Sequence, residues 1–568
     1  VSSLADASDD ERARVTAAAQ RPAGRGRAGG LARARAWVAR HPDPLTTAGL
    51  AALIVAVAFV AGGGGSLQRT TWTAIAVAVA AIVSPPGRRL WGGATLLLLG
   101  LLTAYTAVSI VWSLAPADSW NAANLTVGYL AAFAGAFALV RIAPGRWTAL
   151  LYAVALSAVV LSGYALLVKV VPGIEPEETY ARLRAPFDYW NAVGVMAAMG
   201  VPACLWLGAR RDGHAAPRAL SVPALWLLLV ALILSVGRGA LIAAIAGCAL
   251  WFAFVPLRLR GAALLLVAGT GAVVVAIWAF GNDALTADGT PLDVRKDAGA
   301  DLGLLVVTVL VVLLLLGLWL SFALSRASFS RERRMVVGGV LIGLVALAPI
   351  AAVGRLAVSD RGLTGSISDG WRRLTDPGAQ QPGNDPSRLG SVGSVRARYW
   401  DDALNIWRLD PPRTRWLGVG AEGYATARRP LQRDRLRVSH AHGYVAQTLA
   451  DLGLAGIAIN AALLIAWLAA AARTTALLPR RRFGGWLVAV ARTRDPRRPV
   501  PRRAPVPWTA ERIGLVTLAT VAVAFGVHST IDWTWLVPAT ALAGLLCAGW
   551  VAGRGPVAEA PGGAVAPG

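Results

Sequence analysis

The sequence predicts an all-α, polytopic membrane protein of about fourteen transmembrane helices, with one large extracellular loop carrying short helices. Three observations predict it. Of the 568 residues, 56% are hydrophobic and only 15% charged, with a mean hydropathy of +0.56, a balance that soluble chains of this length do not have. Apolar runs near the ~20 residues needed to cross a bilayer recur almost to the C-terminus. Basic residues between those runs alternate between dense and sparse, as the positive-inside rule requires.

The same composition narrows the function classes. A net charge of +24 on a soluble chain would point to nucleic acid, but membrane topology accounts for most of the excess here, so no nucleic-acid partner is expected. Cys204, Cys248 and Cys547 all lie in apolar runs, with no CxxC or zinc spacing. They read as buried thiols, not as a disulfide framework or a metal site.

Taken in order, residues 1–44 carry eight arginines and no apolar periodicity. They read as a disordered basic cytosolic tail, not a signal peptide, because the first apolar run starts only at Leu45. The expected spans are 45–62, 71–84, 90–112, 121–140, 147–171, 189–208, 219–235, 239–256, 262–280, 302–324, 336–354, 443–472, 512–530 and 534–552. The 219–256 region is too long for one span and is divided at Ser235-Val-Gly-Arg-Gly239. The chain thus divides into a transmembrane bundle of about eleven spans (45–354), a large extracytoplasmic loop (355–442), and three last spans (443–552) that enclose a basic cytosolic loop (473–511). A disordered tail (553–568) follows.

Charge tests this map. With both termini cytosolic, the cytosolic side holds 33 of the 55 Lys and Arg residues, the short outer loops seven, and segment 355–442 the other fifteen. Long loops are exempt from the positive-inside rule, so the last segment is permitted outside. Its first half, Gly365 to Gly393, is rich in Gly, Pro, Ser and Asp and reads as irregular. In its second half Val395, Tyr399, Leu404 and Trp407 recur at helical spacing, Pro411-Pro412 ends that helix, and WLGVGAEGY forms a glycine-rich turn. Asp401-Asp402 reads as an exposed helical face and not as a metal motif.

Leu436 to Gly456, LRVSHAHGYVAQTLADLGLAG, carries two of the five histidines, His440 and His442, at the mouth of an apolar helix. Ionisable groups at such a place are a functional-site signal. The stretch resembles the HxHN…ELGLxG signature of the O-antigen ligase and polymerase family, with Tyr444, Gln447, Gly453 and Gly456 in place and Gly443 where asparagine is usual. Four further stretches resemble the same family, all on the outer side of the map. RLRAPFDYWNAVG places Arg182, Phe187 and Asn191, with Ala185 for the usual glycine and Trp190 for the usual proline. LSVGRGALIA places Arg238. RARYWDDALNIWRLDPPRTRWLGVGAEGY places Arg396, Trp400 and Gly418–Gly420, and HSTIDWTWLVP places Asp532. The resemblance covers about 180 to 540; the first 140 residues share only hydropathy.

The resemblance implies a GT-C-like membrane glycosyltransferase. Such an enzyme moves a glycan from an undecaprenyl-diphosphate carrier to an acceptor hydroxyl on the outer face of the cytoplasmic membrane, with no cofactor and no metal. The residues suit that chemistry. Arginine binds phosphate oxygens bidentately and keeps its proton, so Arg182, Arg238 and Arg396 are candidate diphosphate ligands, with Arg184 a rival for Arg182 and Asn191 a further substrate contact. Histidine is suited to take the acceptor's proton near neutral pH. His442 matches the family's key position; His440 is its orienter or the alternative base. Asp532 is a candidate to hold the imidazole tautomer, by analogy with other His–carboxylate pairs. The expected partners are the lipid-linked donor, membrane lipids, and a glycan, lipid or protein acceptor. A repeat-unit polymerase of the same family is an alternative reading. A lipid-linked sugar flippase is another, although the chain shows no symmetric halves.

Overall fold

A computed structural model of the chain describes residues 42–61, 90–477 and 506–557, apart from 211–212, 381–382, 392, 409–411, 433–437 and most of 327–361. Among these residues every regular element is helical. The expected span 71–84 lies outside the described residues. So, for the most part, do span 336–354, loop 473–511 and the two tails.

The other twelve expected spans coincide with helices: α1 (Pro42–Ala61), α2 (Gly93–Val108), α3 (Pro116–Ile142), α4 (Trp147–Val170), α5 (Trp190–Ala209), α6 (Ala215–Leu234), α7 (Arg238–Phe254), α8 (Arg258–Phe280), α9 (Leu292–Arg326), α12 (Tyr444–Thr474), α13 (Ala510–Ile531) and α14 (Pro538–Arg554). Ten of them are long and apolar enough to cross a bilayer; α7 and α14 have 17 residues each. The total of fourteen is therefore not reached among the described residues. The proposed division at 235–239 is present, with Ser235, Val236 and Gly237 between α6 and α7.

α5 is the centre of the bundle, with 94% of its apolar window buried, and it packs against α4, α6, α7 and α13. Its sequence explains why. Without a hydrophobic driving force between helices in lipid, close packing of small residues holds them together. A Cβ at Gly200 would stand 2.5 Å from Ala158 Cβ of α4, and one at Gly194 2.6 Å from Ala240 Cβ of α7. Larger residues at either position would force the helices apart. A second layer pairs α14 with α3, and α2 with α3 and α12.

α9 is 35 residues long, starting well before the expected span 302–324. Its first turns carry Asp293, Arg295, Lys296, Asp297 and Asp301, so this polar end extends past the apolar run. Arg295 there donates to the carbonyls of Thr290 (3.0 Å), Pro176 (2.8 Å) and Glu178, pinning the α4–α5 loop.

Two expectations for segment 355–442 need correction. Part of the half expected to be irregular forms α10 (Gly362–Thr375). Ile367, Trp371 and Leu374 share one face of it, and this amphipathic pattern outweighs the propensity cost of its glycines. In α11 (Arg396–Arg408), Asp402 does not face solvent. It is 3% exposed and paired with Arg428 at 2.7 Å, inside a small core of Tyr399, Ala403, Ile406, Tyr424 and Ala441.

Candidate functional site

The site is assembled at the ends of helices. Arg182 lies in the α4–α5 loop, Arg238 opens α7, Arg396 opens α11, His440 and His442 precede α12, and Asp532 caps α13. Each segment is moored locally. Beside Arg182, Lys169 donates to the carbonyls of Ala181 (2.5 Å) and Leu285 (2.6 Å). The histidine loop is held by Gln447, whose Oε1 accepts from Ala441 N (2.7 Å) and whose amide donates to Asp451 (2.7 Å). The Asp451 carboxylate also accepts from the backbone N–H groups of Glu422 and Tyr424, each at 2.9 Å. It thereby ties the glycine-rich turn to α12. Gly418 in that turn has φ +71°, and a Cβ there would stand 2.2 Å from Asp451 O.

Asp532 is the hub. Fully buried, it accepts from Tyr189 Oη (2.5 Å) and Asn191 Nδ2 (2.6 Å) and forms an ion pair with Arg396. Burial pushes its pKa up, but Arg396, then His528 and His442, outweigh burial, and the carboxyl sits below the usual carboxylate range.

His442 does not donate a hydrogen bond to that carboxylate. Its Nδ1 lies 2.9 Å from the backbone carbonyl of His440; a carbonyl only accepts, so Nδ1 carries the proton and Nε2 the lone pair. The tautomer-holding role expected of Asp532 is thus filled by the His440 main chain, because the oxygens of Asp532 are already engaged by Tyr189, Asn191 and Arg396. Burial above all pulls the His442 pKa down, with Arg396 adding to it and Asp532 opposing, to about 4. The imidazole is neutral at pH 7. His442 has φ +50°, a left-handed conformation that is uncommon outside glycine. The residue after it has no room for a side chain: a Cβ at Gly443 would stand 2.8 Å from Trp400 Nε1 and 3.0 Å from Thr530 O. That accounts for glycine where the resemblance leads one to expect asparagine.

His440 Nδ1 sits 3.2 Å from Glu422 Oε2, and its ring is 5.3 Å from that of Trp533. Glu422 itself is held at φ +55°.

The arginines differ in their surroundings. Arg182 is buried, donating to Ser235 O (2.9 Å), Val236 O (3.0 Å) and Asn384 Oδ1 (3.4 Å), with its guanidinium 4.2 Å from the Trp190 ring centre. Burial, then Arg388, lowers its pKa to about 9, which still leaves a cation at neutral pH. Arg238 donates to Ser391 O, Ser391 Oγ (3.1 Å) and Gly393 O (3.2 Å). Arg184 instead faces Glu178 (3.4 Å) and Asp188 (3.6 Å), and this pairing removes it as a rival to Arg182. Asn191 is buried and donates to Asp532 and Tyr189.

Sequence reasoning missed Tyr189, Glu422 and Arg388. Tyr189 stands in the flagged RLRAPFDYWN stretch, two residues before Asn191. Glu422 stands inside the flagged GVGAEGY turn. Arg388 stands in a stretch that gave no signal.

The architecture is that of a multi-pass α-helical membrane protein with a cationic, histidine-containing site at its helix ends. Residues 298–461 match the family model described as O-antigen ligase, and this part of the chain is an O-antigen ligase family domain. It contains Arg396, His440 and His442; Arg182, Arg238 and Asp532 lie outside the matched stretch. No curated protein matches the chain. The family is one of glycan transfer of the ligase or polymerase type, acting on lipid-linked glycans.

Proposed function

We propose that the protein is a membrane glycosyltransferase of the O-antigen ligase type, GT-C-like in architecture. It takes a glycan from an undecaprenyl-diphosphate carrier and places it on an acceptor hydroxyl at the extracytoplasmic face of the cytoplasmic membrane. The observation that carries the proposal is the gathering of Arg182, Arg238 and His442, from three separate segments, into electrostatic range of Arg396, which is itself ion-paired with the buried Asp532. A leaving group with concentrated negative charge is what such a cluster stabilises.

In the reaction, the acceptor oxygen attacks the anomeric carbon of the donor sugar and the bond from that carbon to the diphosphate oxygen breaks. The acceptor proton passes to Nε2 of His442, and the carrier diphosphate leaves with the electron pair, its charge offset by the guanidinium groups. His442 is suited to the base role because it is neutral and its free lone pair is on Nε2. His440 orients it through the main chain. The chain division follows the same proposal: bundle 45–354, extracytoplasmic segment 355–442, last spans 443–552, and tails 1–44 and 553–568 in the cytosol.

Purified protein given carrier-linked glycan and acceptor should form the transferred product and release undecaprenyl diphosphate; no release with any acceptor sinks the proposal. A deletion strain separates the two family activities, since loss of a ligase accumulates polymer on carrier and loss of a polymerase accumulates single repeat units.

A further inference from the structure

The outer segment 383–391 lies across the mouth of the arginine cluster like a strap. Asn384 accepts from Arg182 at 3.4 Å and donates to Asp288 at 2.8 Å. Ser391, with Gly393 just beyond it, accepts from Arg238. Between these two moorings, the 3-10 turn Pro386–Gly390 is capped by the Asp385 carboxylate, which accepts from Ser387 N at 2.9 Å. This turn carries Arg388, half-buried, with one N–H on Gly383 O at 3.2 Å.

We propose that Arg388 is a further ligand of the donor's diphosphate, and that the strap is part of the donor site and not a cover over it. This rests on the function proposed above. The first argument is charge. Arg182 and Arg238 each lie in electrostatic range of Arg388 and Arg396, which also face each other. Among the described residues the buried carboxylate facing Arg182, Arg388 and Arg396 is Asp532, occupied by Arg396, Tyr189 and Asn191. Asp385 is exposed and serves as the cap of the turn. Four guanidinium groups, one buried and three partly buried, drawn together near one carboxylate form a site for an anion of more than one charge, because clustered cations with little solvent around them need compensation. A diphosphate has that charge and offers oxygens to several arginine forks at once.

The second argument is chemical. Among the described residues the strap and Gly393 meet Arg182 and Arg238 through an amide oxygen, a hydroxyl and main-chain carbonyls, all neutral acceptors. Phosphate oxygens make stronger, charge-assisted bonds to guanidinium, so a diphosphate can replace these contacts while Arg388 follows it inward. The strap then closes on the donor.

The test uses the full chain in nanodiscs of phosphatidylcholine, titrated with undecaprenyl diphosphate. Arg388→Gln should weaken binding by ~10–100-fold, as expected for loss of a charge-assisted hydrogen bond, and Arg388→Lys by less. Arg415→Gln, which removes an equal charge from an exposed position of the same outer segment, should bind as wild type. Hydrogen exchange across 383–391 should slow on titration in wild type and stay unchanged in Arg388→Gln. Wild type that binds while Arg388→Gln binds within twofold of it overturns the role of Arg388. Equal weakening by Arg388→Gln and Arg415→Gln also overturns it, by showing a long-range field effect. Competition by phosphatidylglycerol at equal concentration shows a site for any lipid phosphate and overturns the diphosphate assignment. Wild type that does not bind undecaprenyl diphosphate at all refutes the functional proposal itself.

Discussion

Arg396 and Asp532, 136 residues apart in the chain, form an ion pair whose carboxylate is fully buried and whose guanidinium remains 20% accessible. The pair joins the start of α11, in segment 355–442, to the end of α13, in the bundle. Removing the carboxylate also strips an acceptor from Tyr189 and Asn191. Asp532→Ala is expected to cost ~3–5 kcal/mol of stability, the range for breaking a buried pair, and to abolish transfer. Arg396→Ala should also destabilise, and the double variant should lose less than the two single losses added, because one interaction is counted in both. Thermal unfolding of the four proteins in detergent measures this; strict additivity refutes the coupling.

In the proposed mechanism His442 sets the pH dependence of transfer. Its pKa is lowered from the ordinary value to about 4, so the neutral base is fully present at pH 7 and persists as pH falls through 6. The transfer rate should hold steady between pH 7 and 5.5 and drop only as pH nears 4. His442→Ala should lose ~10²–10⁴-fold in rate while donor binding stays near wild type. A fall already complete by pH 6 contradicts this environment, and an acid limb that moves in Glu422→Gln would reassign the base role to His440.

Gly443 is fixed by space. Gly443→Asn, the residue the family signature shows there, would press its Cβ on Trp400 Nε1 and Thr530 O. Activity should fall at least about fivefold, on the scale of ~1–3 kcal/mol for overpacking. Trp400→Phe should restore part of it by removing the indole nitrogen. Wild-type activity in Gly443→Asn alone would show that the loop yields.

Catalysis should need no divalent metal. Among the described residues no three His, Cys, Asp or Glu side chains gather as a metal site, while guanidinium groups are placed to take the cation's part. Transfer by purified protein should continue in EDTA; loss with chelator and recovery with magnesium or manganese would remove the arginine argument.

Sidedness is testable in cells. With the three native cysteines replaced, single cysteines at Ser366 or Gly383 should react with a membrane-impermeant thiol reagent before lysis. Labelling only after lysis would place segment 355–442 inside and the site with it.

The bundle was legible in the sequence because a span needs little more than length and hydropathy, and even the α6–α7 break was marked by the arginine between two glycines at 237–239. That Arg182, Arg238, Arg396, His442 and Asp532 would come together at helix ends was also legible, but their pairings were not. Asp532 was expected to serve a histidine and instead serves Arg396, because which carboxylate meets which cation is decided by the packing of α13 against α5 and α7. Asp402 looked exposed because Arg428, its partner, is 26 residues away beyond a proline-containing break. α10 escaped notice because composition weighs glycines and serines equally wherever they fall, whereas a helix needs only its stripe of Ile367, Trp371 and Leu374 to be continuous.

α12 is interrupted at Gly453, whose φ of +62° stops the helical ladder. The carbonyls of Ala450 and Asp451 turn outward and accept from Val419 N (3.0 Å) and Gly420 N (2.9 Å) of the glycine-rich turn. The nine residues Tyr444–Leu452 therefore act as a fixed-length spacer between this seam and the histidine loop. One residue inserted there would swing His440 and His442 by about 100° around the helix axis and displace them ~1.5 Å along it, taking both away from the arginines with every side chain of the site unaltered. Insertion tolerance should be lowest in those nine positions and rise beyond Gly456, where the same helix only has to remain long enough to cross the lipid.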